Sequence, residues 1–175
     1  MLISGRQATT LLFEAGLTQR QARAVLASGL AGMPVPTPGA HLYDEETVLG
    51  LAARPCLGRQ EVALACPGAL FVARRWVDVL AAPEDRVRAL TRQWDLGVRG
   101  ANVSLAVHLH ALGPVPFVAT VCGFVVLGAE ITRLVGEPGG TTYRMELGEP
   151  GAWFETLADR RVRLGPGRDY VLMGW

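Results

Sequence analysis

The chain of 175 residues is long enough for one medium domain, or for one very small domain followed by a second. Half of the residues are hydrophobic, which is ample for a core, and 17 basic residues nearly cancel 16 acidic ones, so overall charge does not indicate a polyanion partner. All of the basic residues are arginine, a composition that a GC-rich genome favours.

Cysteine usage and the N-terminal residues predict a cytoplasmic protein. Cys56, Cys66 and Cys122 lack CxxC spacing and are typical of free thiols in a reducing compartment. No basic region precedes a long apolar run at the N-terminus, so we expect no secretory signal. Residues 100–129 carry no formal charge, but glycine and proline interrupt them, and the apolar run 115–129 is shorter than the ~20 residues of a spanning helix. We therefore expect buried strands there and no membrane contact.

Two short helices are predicted first. Ser4 stands three residues before Gln7, a capping box, and apolar residues then follow at helical spacing until Gly16. Thr18 and Gln21 form a second capping box, which begins a helix over 18–28. The inward residues of these helices are Ala8, Leu11, Leu12, Ala15, Ala22, Val25 and Leu26.

A proline- and glycine-rich segment over 33–41 follows and suits an extended loop or hairpin, because proline excludes a helix there. A short strand is expected at 41–43. Asp44 is a good N-cap for a third helix with Val48 and Leu51 facing inward, and that helix closes at Arg54. The predicted order is helix, turn, helix, wing, helix, with a boundary at 55–58.

Residues 59–175 are predicted to form a β-rich domain with at least one helix. Strands are expected at 61–66 and 69–76 around a Pro67-Gly68 turn, and a helix at 83–94. Alternation at 103–110 predicts a half-buried strand that places His108 and His110 on one face. Further strands are expected at 117–122, 124–135, 141–148, 160–165 and 170–175, with a hairpin tip at 165–170.

The second helix has the residue types of a DNA-reading helix. Its outward positions are Gln19, Arg20, Arg23, Ala24 and Ala27. Arginine can form two hydrogen bonds with guanine and glutamine can pair with adenine, while small alanines permit close approach to the bases. A solvated helix face favours the same residue types, so the helix alone leaves both interpretations open.

The first 55 residues as an ordered set resemble the winged-helix domain of the MerR and excisionase-like families. The matching positions are Ala8, Leu12, Gly29, Leu30, Gly39, Tyr43, Val48, Leu51 and Arg54. The resemblance implies that Arg20 and Arg23 lie on the recognition helix and His41 beside the return strand of the wing. With Thr18 at the start of that helix and Arg6 as a phosphate contact, these residues complete the candidate DNA-binding set.

The fold class expected from these patterns is α+β: a winged helix-turn-helix over 1–55 followed by a β-rich α+β domain of unidentified fold over 59–175. Four arginines and four acids leave the first segment neutral, so DNA binding would need a homodimer or additional basic surface. Candidates for that surface are Arg74, Arg75, Arg160, Arg161, Arg163 and Arg168.

The first hypothesis is a DNA-binding transcriptional regulator that contacts double-stranded DNA and dimerises or senses an effector through its second domain. A protein-interaction adaptor is the second, because the winged segment is neutral. The third is a small-molecule binder or enzyme built on residues 59–175, with His108, His110 and a tryptophan in a pocket. No catalytic motif is present, Cys122 is expected to be a small core residue, and no cofactor or metal is predicted.

Overall fold

A computed structural model describes residues 1–97, 100–136, 140–165 and 169–175. Helices and strands are mixed along these ranges, which confirms the α+β class. The helices are α1 (Gly5–Glu14), α2 (Gln19–Ala27), α3 (Glu45–Ala52), α4 (Arg59–Ala65), α5 (Pro83–Thr91), α6 (Ala101–Ala111) and α7 (Phe154–Leu157). The strands are β1 (Leu2–Ser4), β2 (Val35–Thr37), β3 (Ala40–Asp44), β4 (Cys56–Leu57), β5 (Leu70–Ala73), β6 (Trp94–Asp95), β7 (Val115–Val121), β8 (Phe124–Gly136), β9 (Thr142–Gly148), β10 (Arg161–Val162) and β11 (Tyr170–Met173).

The two predicted capping boxes are confirmed and set where α1 and α2 begin. The backbone N–H of Ser4 donates to Gln7 Oε1 at 2.9 Å, and the N–H of Gln7 donates to Ser4 Oγ at 3.3 Å. Thr18 and Gln21 repeat this exchange at 2.9 and 3.2 Å. Each box satisfies backbone donors that have no partner within the helix. Gly16, at φ +87°, ends α1 as predicted, since a left-handed conformation suits glycine.

A small antiparallel sheet with the strand order β1-β3-β2 follows α2. The β2–β3 hairpin turns at Pro38-Gly39 and confirms the predicted extended segment. Strand β1 pairs with β3. It was not predicted, because three residues that lead into the N-cap of α1 are too few to show an alternation of apolar and polar side chains. Asp44 caps α3 as predicted, with its Oδ2 accepting from the N–H of Thr47 at 3.0 Å.

The larger sheet has the order β11-β5-β7-β8-β10-β4, with β9 on the later part of β8 and β6 on β9. Strands β5 and β7 are parallel, as are β4 and β10, and the remaining pairs are antiparallel. The predicted helix at 83–94 is confirmed by α5, although it ends sooner. The predicted hairpin tip at 165–170 includes residues 166–168, which lie outside the described ranges.

The hydrophobic core joins both predicted segments. One cluster runs from Ala8 and Leu12 in α1 to the face of the larger sheet that carries Phe71 and Phe117. A smaller cluster covers the other face beneath α4 and α7. A backbone hydrogen bond also joins the two segments: the N–H of Val79 donates to the carbonyl of Ser28 at 2.8 Å. Within the described ranges, the structure contains no helix that is both long and apolar enough to cross a membrane.

The predicted strand at 61–66 is wrong, since these residues belong to α4 and its C-cap. The N–H of Gly58 donates to Glu61 Oε2 at 2.6 Å, which satisfies a donor at the start of the helix. Val62 and Cys66 are buried four residues apart, as one face of a helix requires. The short apolar run 62–66 therefore fits a helix as well as a strand, and its length could not separate them.

The predicted strand at 103–110 is also wrong, because these residues form most of α6. Ala101 and Leu105 are buried four residues apart, whereas Val103 and Val107 face solvent. The apolar residues at the alternate positions 103, 105, 107 and 109 therefore lie on two different sides of the helix. His108 and His110 are consequently about 200° apart around the helix axis and do not share a face.

Candidate nucleic-acid interface

An open groove of about 840 Å³ lies between α1, α2 and the β2–β3 hairpin, and we call it the α2–hairpin groove. Four of the predicted DNA-contacting residues line it: Arg6, Gln19, Arg23 and His41. The other described lining residues are small, hydroxylated or apolar: Ser4, Gly5, Thr9, Thr10, Leu26, Ala27, Gly39, Ala40 and Tyr43. Folding therefore brings side chains from three separate elements to one surface.

The α2 helix presents a polar row to this groove. Gln19, Arg23 and Ala27 are four residues apart and so lie along one side of the helix. Arg20 and Ala24 belong to the adjoining row and are not among the described lining residues. Arg20 is exposed, while Ala24 is half-buried, so only the first of these two has a side chain free to reach a ligand.

Charge is distributed unevenly over the neutral segment 1–55. The described lining of the α2–hairpin groove contains Arg6, Arg23 and His41 and no carboxylate. Glu14 and Glu45 instead line a separate depression, of about 310 Å³, on the other side of Arg6. The segment is thus neutral as a whole but cationic along the groove, which favours an anionic ligand at that surface.

Thr18 has a structural role at the start of α2. Its hydroxyl donates to Gln21 Oε1 at 3.0 Å and accepts from the N–H of Gln21 at 3.2 Å. Thr18 is exposed but does not belong to the described lining of the groove. Its contacts show that it orients the first turn of α2, which carries Gln19 and Arg20.

The hairpin contributes His41 and Tyr43, two residues apart on β3 and therefore on one face of the strand. His41 is exposed, whereas Tyr43 is buried beneath it and burial raises the pKa of its hydroxyl. The N-terminus of α1 packs on this ring, since a Cβ on Gly5 would lie 3.5 Å from Tyr43 Cε2. Tyr43 forms part of the groove, a role that sequence analysis did not assign to it.

The described arginines that were candidates for additional basic surface are divided among separate places. Arg75 lies 3.9 Å from the centre of the Trp94 ring and donates from Nη2 to the carbonyl of Gln93 at 2.8 Å. Arg74 and Arg161 are half-buried and line a separate cavity together with exposed Arg163. Arg160 is half-buried outside that lining, and the prediction for Arg168 lies outside the described residues.

The histidines do not assemble a polar pocket. His108 packs against Trp175 with ring centres 5.3 Å apart, in a depression lined mainly by apolar side chains of α6. His110 is absent from its described lining. Among the described residues, no cluster of three histidine, cysteine or carboxylate groups is close enough to hold a metal ion.

Comparison with protein-family models, curated proteins and solved structures finds no match to this chain. The groove itself is therefore the basis on which function is inferred. That groove combines guanidinium, imidazole and amide groups with the exposed side of a nine-residue helix. These are the groups that proteins use to contact phosphates and base edges.

Proposed function

We propose that the protein is a DNA-binding transcriptional regulator of the cytoplasm and that residues 1–55 are a winged helix-turn-helix. In this proposal α2 enters the major groove of duplex DNA and the β2–β3 hairpin is the wing. A line of backbone phosphates lies in the α2–hairpin groove. The observation that carries the proposal is the convergence of Arg6, Gln19, Arg23 and His41 on a groove whose described lining has no carboxylate.

Each side chain has a distinct part in this arrangement. Arg6 and Arg23 neutralise phosphates, and His41 contacts the backbone from the hairpin. Gln19 and Arg20 lie on the first turn of α2, the part of a recognition helix that reaches base edges. Both are exposed, so neither has to leave a packed position to reach DNA.

The proposal includes a homodimer formed through α6. This helix contains no carboxylate or arginine, and its exposed side includes Val103, Val107 and, just beyond its end, Leu112. An uncharged apolar surface is complementary to a second copy of itself across a two-fold axis, because no charge needs a partner of opposite sign. A dimer would pair two α2 helices about 34 Å apart on a palindromic site and double the phosphate contacts.

Salt dependence tests DNA binding directly. Fluorescence anisotropy of the full chain on mixed-sequence duplex DNA is expected to show log affinity falling linearly with log salt. Two phosphate contacts per protomer, from Arg6 and Arg23, predict a slope of about −2 per protomer. Absence of binding at the lowest salt, with the protein folded, would contradict the proposal and favour the protein-docking alternative.

The dimer has its own test. Val107→Glu is expected to convert a dimer into a monomer in light-scattering chromatography, because it places a charge inside the proposed interface. The matched control is Leu64→Glu on α4, at a side chain that is 82% exposed and outside that face. Stability of the monomer is expected to hold in both variants, since each site is exposed. A wild-type chain that elutes as a monomer would refute an interface through α6.

A further inference from the structure

A second cavity, of about 440 Å³, lies where the α1–α2 turn meets the larger sheet, and we call it the arginine cavity. Its described lining includes three arginines, namely Arg74, Arg161 and Arg163, and no acidic residue. The other described lining residues are Ala15, Gly16, Gln21, Cys56, Thr120, Cys122, Gly123, Val162 and Leu164. Three cations around one cavity whose described lining contains no carboxylate favour an anion as its occupant.

The position of the arginine cavity in the sheet supports a ligand site. Strands β5 and β7 are parallel, so their carboxyl ends meet at one edge. Arg74 directly follows β5 and Cys122 directly follows β7. In open α/β sheets small molecules bind outside the carboxyl ends of parallel strands, and this parallel pair presents the same kind of edge to the cavity.

The Arg161 side chain is held in place by contacts on two sides. Its Nη1 donates to the carbonyl of Ala15 at 2.9 Å, and its guanidinium carbon lies 4.9 Å from the centre of the Phe124 ring. A guanidinium fixed in this way binds an oxyanion without losing further side-chain freedom.

Two buried donors on side chains that line this cavity have no hydrogen-bond partner among the described residues. They are Nη1 of Arg74 and Nε of Arg161. Buried polar atoms are normally paired because leaving them unpaired costs free energy. Both belong to side chains that line the cavity, so each guanidinium keeps hydrogen-bonding capacity that no described protein group uses.

The β7–β8 turn places Cys122 at the cavity. Cys122 has a φ of +50° and Gly123 one of +89°, the geometry of a two-residue hairpin turn in which asparagine usually precedes glycine. Cysteine is an unusual choice at such a position. Burial raises the pKa of the Cys122 thiol, against the opposing effect of Arg161 and Arg74. Cys122 packs against the edge of the hydrophobic core, in partial agreement with the sequence expectation, but it is only half-buried and also lines this cavity.

We propose that the arginine cavity binds the phosphate group of a small organic phosphate. Arg74, Arg161 and Arg163 provide forked donors that match a phosphate carrying about two negative charges. The cavity is larger than one phosphate ion and falls within the range of about 300–1,000 Å³ that small-molecule sites occupy. This site is distinct from the α2–hairpin groove, and its existence does not depend on DNA binding.

Thermal unfolding of the full chain tests the site without DNA, so its failure and failure of the proposed function are distinguishable. Inorganic phosphate and phenyl phosphate are titrated separately while sodium chloride keeps ionic strength constant. A saturable rise in Tm of about 3 °C is expected, with half-saturation at a lower concentration for phenyl phosphate. No rise beyond the salt-matched series would overturn the proposal. Equal stabilisation by succinate would also overturn it, because the site would then not select phosphate.

The arginines are tested by calorimetric titration of phenyl phosphate. Arg163→Gln is expected to weaken binding at least about tenfold, since it removes one charged, forked donor. Arg163 is exposed, so this variant should retain the fold. Arg160→Gln is the matched control, because it removes the same charge from a residue outside the described lining. Equal affinities for the Arg163 and Arg160 variants would refute the assignment.

Discussion

Replacing Arg20 and Arg23 together with alanine is expected to weaken duplex DNA binding about a hundredfold, a loss of ~3 kcal/mol. Arg23 lines the α2–hairpin groove, and Arg20 is exposed on the adjoining row of the same helix. In the proposed complex, removal of two guanidinium groups would delete the phosphate or base contacts assigned to them. Anisotropy at fixed ionic strength measures the effect, and the salt slope should become shallower as well.

This double substitution should leave the fold intact. Arg20 and Arg23 form no ion pair with another described residue, and alanine is the stronger helix former. The free energy of unfolding should therefore change by less than about 0.5 kcal/mol. The control is Arg92→Ala with Arg144→Ala, which removes two exposed charges far from the groove in sequence. Equal loss of DNA binding in both pairs would mean that overall charge, and not α2, determines affinity.

The largest effect on stability is expected from Phe71→Ala, a loss of about 3–5 kcal/mol in the free energy of unfolding. Phe71 is fully buried on β5 and stacks between Phe117 and Tyr170, with ring centres 5.6 and 5.1 Å away. The Trp94 ring packs against it nearly at a right angle, with ring centres 5.4 Å apart. Alanine would leave a cavity among three aromatic rings that cannot close around it.

Urea unfolding followed by tryptophan fluorescence measures this loss, since Trp94 reports on the same cluster. Phe13→Ala is the matched control: it removes the same side chain from α1, where Phe13 is 54% exposed. We expect that variant to change stability by less than about 1 kcal/mol. Similar losses for Phe13→Ala and Phe71→Ala would show that the aromatic cluster does not dominate the core.

Local signals in the sequence predicted the N-terminal segment well. Ser4, Thr18 and Asp44 are caps whose hydrogen bonds reach only three residues along the chain, so spacing alone identifies them. The extended segment was predicted for a comparable reason, because proline restricts its own backbone. Assignments of this kind need no knowledge of distant contacts.

Prediction failed where tertiary packing decides between two local options. Residues 61–66 and 103–110 are apolar and lack strong punctuation, so either a helix or a strand could bury them. In α6 the outcome depends on Leu105, which is fully buried, while Val107 remains exposed. That asymmetry is defined by the sheet beneath the helix and is not visible in the order of residues.

The candidate sites were likewise predicted where local sequence was sufficient and missed where distant contacts create them. Arg6, Arg23 and His41 were selected individually, but their shared groove depends on how the hairpin folds back over α1. The arginine cavity was not predicted at all, because Arg74 and Arg161 are far apart in sequence and meet only through the pairing of the larger sheet. In the sequence they were candidates for a basic surface, and no local pattern indicated that they would line a cavity.

The Arg161 side chain lines the arginine cavity and also donates a hydrogen bond to the carbonyl of Ala15, in the turn that precedes α2. A ligand that moves Arg161 or this turn would also shift the start of α2, and any resulting linkage between phosphate binding and DNA binding is reciprocal. If phosphate changes the affinity for DNA by some factor, DNA changes the affinity for phosphate by the same factor. One coupling free energy therefore describes both directions, and phosphate titrations with and without DNA would measure it with no assay of transcription.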